Sequence, residues 1–308
     1  MDINYVLHSG KVEDNGEQLL FKGDVMTSDD PVTHETQQFP LCSQILFPID
    51  LKEGSIKCDV QLGSICKLTR CGFVFQHSFI DGICKFYNVC INTTPGICSL
   101  NYYNGSKWEF LLSVGSDNSI EPHKKYSLEL KINGNNLSFL VNNVVILEYT
   151  KLRYANGMCG FFTYNETDSQ ISKIEIQAGS PTAFSIMKFE KDFDELYQNV
   201  IAPVCKEYGY NSVRADECYT SSAIIQDIIR EISNASLIIA DITMDNPNVF
   251  YELGYAHALG KPTILLADKN KRAHLPFDVS GYRTIFYENT IGGKKEIEKM
   301  LRRFVENI

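Results

Sequence analysis

The sequence predicts a two-domain chain, with an all-β sandwich over residues 1–178 and an α/β domain built on a parallel sheet over residues 182–308. Three observations carry this reading. Short segments that alternate polar and apolar residues, parted by turn residues, fill the first part with no amphipathic helix between them. From Phe184 onward, wholly apolar short runs alternate with stretches of helical spacing, the pattern of strands covered on both faces. Between the two lies Ala178-Gly179-Ser180-Pro181, small and breaker-rich as a linker is.

The length of 308 residues favours two domains over one, and 44% hydrophobic with 22% charged residues is the composition of a globular protein. The net charge is −9. The first 180 residues carry 14 Lys and Arg against 20 Asp and Glu, the remainder 15 against 18. Neither part offers the clustered cations that a duplex nucleic acid requires, whereas one pocket for a small nucleotide needs only a few donors. No apolar run approaches the roughly 20 residues that span a bilayer. The opening MDINYVLHSGKVED has no basic region followed by an apolar one, so a cytoplasmic chain is expected. Eight of the ten cysteines precede residue 160, and none forms a CxxC pair. Cys58 alternates with Ile56, Val60 and Leu62, and Cys71 with Phe73 and Phe75, so these thiols read as core residues in a reducing compartment rather than as disulfides or metal ligands.

In the first domain Tyr126, Leu128, Leu130 and Ile132 alternate with polar residues up to Asn133-Gly134-Asn135-Asn136. Leu137, Phe139 and Val141 resume the alternation, and Asn142-Asn143 reads as a two-residue hairpin turn before Val144 to Tyr149, because Asn tolerates the positive φ such turns need. Further strands are expected near 44–51, 56–62, 71–77, 84–91, 107–114, 157–164 and 171–177. The stretch "YSLELKINGNNLSFLVNNVVILEY", a loop, "GMCGFFTYN" and "SKIEIQ" resembles the final strands of a concanavalin-like jelly roll. That fold houses lectins, glucanases and non-catalytic modules, and does not fix a function. The acidic motif E-x-D-x-E of its glucanases is absent. Trp108, Tyr102 and Tyr103 could stack on a sugar or a base, or serve as ordinary strand residues. The plain reading is a regulatory, assembly or partner-binding module.

In the second domain Phe184–Phe189, Asn211–Asp216, Leu237–Ala240, Thr263–Leu266 and Thr284–Tyr287 read as strands. Helical spacing runs over Asp192–Tyr208, where Pro203 should bend the helix, over Ser221–Asn234, and over Lys294–Val305. Five strands suggest the flavodoxin-like, Rossmann-like order. Ligands of such sheets bind beyond the carboxyl ends of the strands, which here carry Lys188, Phe189, Arg214, Asp216, Asp241 and Thr243.

The most informative segment is "ADITMDNPNVFYELGYAHALGKPTILL", residues 240–266. Asn246 suits an N-cap, Pro247 the first helical position and Gly260 the stop. Val249, Leu253 and Ala256 share the core face, Gly254, Ala256 and Ala258 keep the helix slim against the sheet, and Glu252 falls just off the core face. A carboxylate there is partly buried and its acidity tuned by apolar neighbours.

The runs "FSIMKF", "VRADE" (213–217), "ASLIIADIT" (235–243), "NPNVFYELGYAHALGKP" (246–262) and "LPFDVSGYRTIFY" (275–287) resemble the nucleoside 2-deoxyribosyltransferase-like family, related in fold and chemistry to the NAD-consuming TIR domains. The resemblance covers residues 183–288. One departure is Lys188, where many relatives carry proline before the Phe. The resemblance implies that Glu252, in the Y-E-L-G motif, is the catalytic carboxylate. That role makes chemical sense, since breaking an N-glycosidic bond builds positive charge on the sugar, which a carboxylate stabilises or attacks. The alternative is an ordinary helix-face glutamate paired with a lysine. Asp216 and Asp241 could bind sugar hydroxyls or a base edge, or cap loops. Arg214 and Lys188 could hold phosphates or form ion pairs. Phe189 and Thr243 stand at the same strand ends, Asn248 caps or contacts substrate, and His257 reads as packing. The expected function is an N-glycosidase with NAD as substrate, no cofactor and no metal. It would act as a homo-oligomeric, signal-regulated effector, an architecture that resembles bacterial antiviral defence. NAD is favoured because nicotinamide leaves as a neutral base without protonation, whereas a purine needs a general acid. The alternatives are a (deoxy)nucleotide N-glycosidase or deoxyribosyltransferase, and a nucleotide sensor without turnover.

Overall fold

The computed structural model describes residues 4–29, 36–80, 82–92, 96–115, 120–152, 157–215, 224–272 and 274–306. The chain divides into two compact units, one of Met1–Ile132 with Asn136–Gly179, the other of Ser180–Ile308 with Asn133–Asn135.

The first unit is all strand: β1 (Val6–Ser9), β2 (Val12–Asp14), β3 (Gln18–Phe21), β4 (Val25–Asp29), β5 (Thr36–Asp50), β6 (Glu53–Leu62), β7 (Arg70–Ile80) and β8 (Ile83–Ile91). After these come β9 (Cys98–Tyr103), β10 (Trp108–Val114), β11 (Lys125–Asn133), β12 (Asn136–Val141), β13 (Val144–Tyr149), β14 (Met158–Asn165) and β15 (Ser169–Gly179). They form two sheets. The first runs β1-β5-β14-β7-β8-β9-β10 with β4 also on β5, and the second runs β13-β12-β11-β6-β15-β3-β2. The alternation read in the sequence becomes the inner face. Ile56, Cys58, Val60 and Leu62 of β6 stand with Tyr126, Leu128, Leu130 and Ile132 of β11 in one buried cluster with Phe47, Phe73, Phe75 and Phe161 of the first sheet. Phe161 anchors this cluster, its ring 5.7 Å from Phe47 and 5.6 Å from Phe73, and Phe73 reaches Phe139 of the opposite sheet at 6.1 Å. Asn142 and Asn143, with φ of 51° and 63°, make the expected hairpin turn. Strands β1 to β4 and β9 were not among the elements expected from the sequence, because β1, β2 and β4 are short and lie on the sheet margins with mostly exposed side chains.

The first sheet also buries side chains on its outer face. Leu46, Val74, Phe86 and Phe162 form a second small cluster there, packed by Cys84, Tyr103, Met158 and Tyr164. Trp108 and Tyr103 belong to this side, with ring centroids 5.2 Å apart. Tyr102 turns the other way and packs tilted against Tyr87 in the core, centroids 4.6 Å apart, as alternation along a strand requires. The three aromatics therefore do not share one surface.

The second unit comprises β16 (Thr182–Ile186), α1 (Lys191–Leu196), a π turn (Tyr197–Ile201), α2 (Ala202–Glu207), β17 (Asn211–Arg214), α3 (Ile224–Asn234), β18 (Leu237–Asp241), α4 (Pro247–Ala258), β19 (Thr263–Asp268), β20 (Thr284–Tyr287) and α5 (Ile291–Val305). The sheet order is β17-β16-β18-β19-β20, and every adjacent pair is parallel. Both faces are buried, which explains the wholly apolar strands. Leu237, Ile239, Ile264 and Leu266 pack under α1, α2 and α5, while Ile238, Ala240, Leu265 and Ala267 pack under α3 and α4. Pro203 lies within the first turn of α2, and the π turn immediately before it absorbs the break that the missing N–H imposes, so the sequence-predicted bend takes the form of a π turn. Gly254 and Ala258 are exposed, with open space beyond Gly254, so of the three small residues only Ala256 lets α4 approach the sheet.

Phe161→Ala is expected to destabilise the sandwich by about 3–5 kcal/mol, since it removes a fully buried ring between two others. Urea unfolding of the full chain followed by Trp108 fluorescence, which reports on the first unit alone because the chain has one tryptophan, measures it.

Candidate active site

The parallel sheet sets the site, because all five strands end on one edge. At that edge β18 stops at Asp241, and α4 begins six residues later. Asn246 caps α4 by accepting the backbone N–H of Asn248 at 2.9 Å, and Pro247 opens the first turn. Glu252 follows in the second turn, roughly 8 Å along the axis from Pro247. Its neighbours Val249, Leu253 and Ala256 are buried on the core face. The Glu252 side chain is half-buried. Among the described residues no hydrogen bond or ion pair reaches its carboxylate, and burial alone pushes its pKa from 4.5 up to about 7. The lysine partner of the ordinary-glutamate reading is therefore not found among the described residues.

The end of β18 is locked by a buried polar network. Tyr287 at the end of β20 donates to Asp241 Oδ2 at 2.7 Å, and the Thr243 N–H donates to Asp241 Oδ1 at 2.9 Å. The Asp268 N–H at the end of β19 donates to Thr243 Oγ1 at 2.8 Å. Burial raises the Asp241 pKa, against the lowering effect of its hydrogen bonds from Tyr287 and Thr243. Both carboxylate oxygens of Asp241 are thus held by the protein. Asp241 and Thr243 shape the loop into α4 rather than presenting free groups to a ligand.

A second group forms around Arg214 at the end of β17. This guanidinium is buried, 6% exposed, and bonds Asp194 Oδ1 of α1 at 2.7 Å. It also lies over the rings of Phe189, at 5.5 Å, and Tyr197, at 5.1 Å. Phe189 itself stays 55% exposed at the strand edge. Lys188 pairs with Glu190. Both cations therefore face carboxylates of their own chain in this structure, the ion-pair alternative read for them in the sequence. Asn248 is exposed, and Asp216 lies outside the described residues. His257 stacks flat on Tyr282, centroids 4.1 Å apart, and burial lowers its pKa.

Three residues of this edge were not found from the sequence. Arg272, after β19, bonds the Thr243 carbonyl at 3.2 Å, pairs with Asp245 and sits 5.9 Å from the Phe250 ring. Tyr287 is the Asp241 partner. Ser185, beside Arg214 in register, is fully buried with no hydrogen-bond partner for Oγ among the described residues. Tyr287 and Ser185 occupy strand ends just as Asp241 does and were open to the same argument. Arg272 lies in a loop of no recognisable pattern. The structure thus gathers Arg214 with Phe189, and Asp241 with Thr243. No hydrogen bond or ion pair among the described residues joins Glu252 to either group.

No protein-family model and no curated protein matches the sequence. Among solved structures, a carbohydrate-binding module, CBM66, from Bacillus subtilis is similar over 57% of this chain and 98% of its own, at 11% identity and a TM-score of 0.46. The β-glucanase of Bacillus licheniformis is similar over 57% of this chain and 92% of its own, at 8% identity and a TM-score of 0.37. A galectin of Caenorhabditis elegans is similar over 41% of this chain and 84% of its own, at 14% identity and a TM-score of 0.30. Likeness at this level carries no argument about function, and the sandwich stands on its own strand pairing.

Two outcomes follow from this geometry. Tyr287→Phe leaves Asp241 Oδ2 short of its donor and is expected to cost about 1–3 kcal/mol of stability, where Phe replacement of the half-exposed Tyr282 costs less than about 0.5 kcal/mol. Chemical denaturation of the three proteins compares them. Glu252→Gln tests the raised pKa. The folded chain holds the Glu252 proton more tightly than the unfolded chain does. Its contribution to stability is therefore full below pH 4.5 and is lost as pH rises through about 7. The variant should gain roughly 1–3 kcal/mol on the wild type between pH 5 and pH 8, as read from unfolding curves at the two pH values.

Proposed function

We propose that residues 182–308 form an N-glycosidase that cleaves the base–sugar bond of a nucleotide, with NAD as the favoured substrate and Glu252 as the catalytic carboxylate. One observation carries the reading: Glu252 is half-buried, without an ion pair or hydrogen bond among the described residues, and its pKa stands near 7. A helix-face glutamate gains nothing from this environment. A carboxylate that meets a developing cation gains a great deal, because its charge is stabilised only when the positive sugar forms. The sheet order, with helices on both faces, supports a flavodoxin-like reading of this unit, and the Y-E-L-G run on α4 supports kinship with the nucleoside 2-deoxyribosyltransferase-like proteins.

In this scheme the C1′–N bond breaks, and its electron pair moves onto the nicotinamide nitrogen, which leaves as a neutral base. Glu252 either holds the oxocarbenium ion or closes a bond from its Oε to C1′. Water then adds at C1′ and releases one proton, and where the Oε–C1′ bond has formed it breaks with its electron pair returning to the Glu252 carboxylate. The exposed ring of Phe189 offers a stacking surface for the base. Arg214 is placed to meet a diphosphate by exchanging Asp194 for it. The same exchange serves a monophosphate, which keeps a (deoxy)nucleotide N-glycosidase or deoxyribosyltransferase as the alternative. A sensor without turnover is disfavoured, since an anionic nucleotide gains nothing from a desolvated carboxylate beside it. A glycosidase of this kind would deplete its own cell if always active, so we assign it the role of a regulated effector, as in bacterial antiviral defence, with the sandwich as the regulatory or assembly module.

Glu252→Gln is expected to lower base release by about 10² or more while the fold is kept. The wild-type kcat/KM should rise with pH through about 7, because the ionised carboxylate is the active form. Chromatography of NAD and deoxynucleoside monophosphates offered together measures both effects. Release of purine or pyrimidine with NAD untouched selects the alternative, and undiminished turnover by a folded Glu252→Gln protein excludes the assignment.

A further inference from the structure

The outer face of the first sheet holds a cluster unrelated to Glu252. His8 of β1, His77 of β7 and Cys84 of β8 offer ligand atoms that all lie within 4.8 Å of one another. Cys84 Sγ is 3.3 Å from His77 Nε2. The His8 and His77 rings meet at 4.9 Å and 72°. We propose that His8, His77 and Cys84 form a zinc-binding site on the β-sandwich.

The distances suit the ion. Zinc bonds sulfur at about 2.3 Å and imidazole nitrogen at about 2.0–2.1 Å, so tetrahedral ligand atoms stand roughly 3.3–3.6 Å apart. The Cys84–His77 pair already has this spacing. His8 is exposed on a short margin strand, so its ring can close the remaining gap by rotation about χ1 and χ2 without moving the core.

The backbone is shaped for this meeting. The β7–β8 register shifts between Phe75 and Ser78, and Gln76 in that bulge has φ of 50°, a conformation that costs a non-glycine residue of order 1 kcal/mol or more. Bulges re-aim side chains, and this one lays His77 flat on Phe86, centroids 5.1 Å apart at 14°, with Nε2 toward the sulfur. His77 is 1% exposed, and its Nδ1 has no hydrogen-bond partner among the described residues. With the ring proton on Nδ1, the Nε2 lone pair is left to face the Cys84 sulfur and the His8 ring, where a metal ion can take it.

The donor set selects the ion. Two imidazoles with one thiolate suit a borderline cation such as zinc and do not suit magnesium or calcium, which take oxygen. On binding, the Cys84 thiol releases its proton to solvent and the S–Zn bond forms, with no change of oxidation state. Three protein ligands leave a fourth tetrahedral position for water or an outside group. No metal-ligand spacing shows in the sequence because the three residues come from three strands.

The test uses the full chain, stripped with a chelator and titrated with Co²⁺ as a spectroscopic stand-in and with Zn²⁺ in competition with a fluorescent chelator. The expected result is one equivalent of Co²⁺ with a thiolate-to-cobalt charge-transfer band and tetrahedral visible bands, displaced by Zn²⁺. Cys84→Ser should abolish the band. His8→Ala, at an exposed position that leaves folding intact, should weaken Zn²⁺ binding at least about tenfold. Absence of stoichiometric binding, or a band and affinity that survive both substitutions, overturns the proposal.

Discussion

The buried carboxylate of Asp241 anchors a network that ties the ends of three strands together, and the geometry of the second unit's carboxyl-terminal strand edge depends on it. β18, β19 and β20 each contribute one member of the network: Asp241 itself, the Asp268 N–H that reaches Thr243, and the Tyr287 hydroxyl. A lone buried carboxylate would be costly, and its hydrogen bonds are what make it tolerable. With the strand ends fixed, the loop from Ile242 to Asp245 has little freedom, and Arg272 adds a further clamp on its Thr243 carbonyl. The loop delivers Asn246 to the cap of α4, the cap fixes the first turn, and the first turn sets the rotation that leaves Glu252 at the border of the core.

Glu252 and the nearby cations follow opposite electrostatic rules. Arg214 and Arg272 are almost fully buried and have carboxylate partners in Asp194 and Asp245, both better exposed than the arginines they hold. Such partners are weakly committed, because water already competes for them. Asp194 keeps contact with water while it pairs with Arg214. Glu252 has no partner to exchange, so its desolvation remains until a positive group arrives. The edge therefore sets two buried cations paired with better-exposed carboxylates beside a desolvated carboxylate with no partner among the described residues.

Much of the architecture was legible because burial has a period. Period two exposed β6, β11 and β12, wholly apolar runs exposed β16, β18 and β19, and the Asn-Pro pair exposed the start of α4. Glu252 was legible because one helix face is set by Val249, Leu253 and Ala256. What stayed hidden was contact between segments distant in sequence. Nothing local says that Arg214 meets Asp194, that Tyr287 meets Asp241, or that Tyr102 and Tyr103 part company across a sheet. Gly254 looked like a packing residue because composition cannot tell a small residue in a tight place from one in the open.

The outer face of the first sheet is the clearest case of this limit. Alternation assigns that face to solvent, yet it buries Leu46, Val74, Phe86 and Phe162 together with Asn88, Asn101 and Ser99. The amide of Asn101 donates to Asn88 Oδ1 at 2.9 Å and to Ser99 Oγ at 3.0 Å, while its own Oδ1 has no partner among the described residues. Beside these residues runs a groove of about 370 Å³ that Trp108, Phe110, Phe162 and Tyr164 help to line, with Phe110 80% exposed. A face meant only for water would not hold polar groups dry, and a face meant only for packing would not leave an aromatic ring in the open. Phe86 joins the two ends of this surface, flat on His77 at 5.1 Å and edge-on to Trp108 at 5.4 Å. The same close packing that hid this face from the sequence makes its His77–Cys84 cluster and its aromatic groove one connected surface.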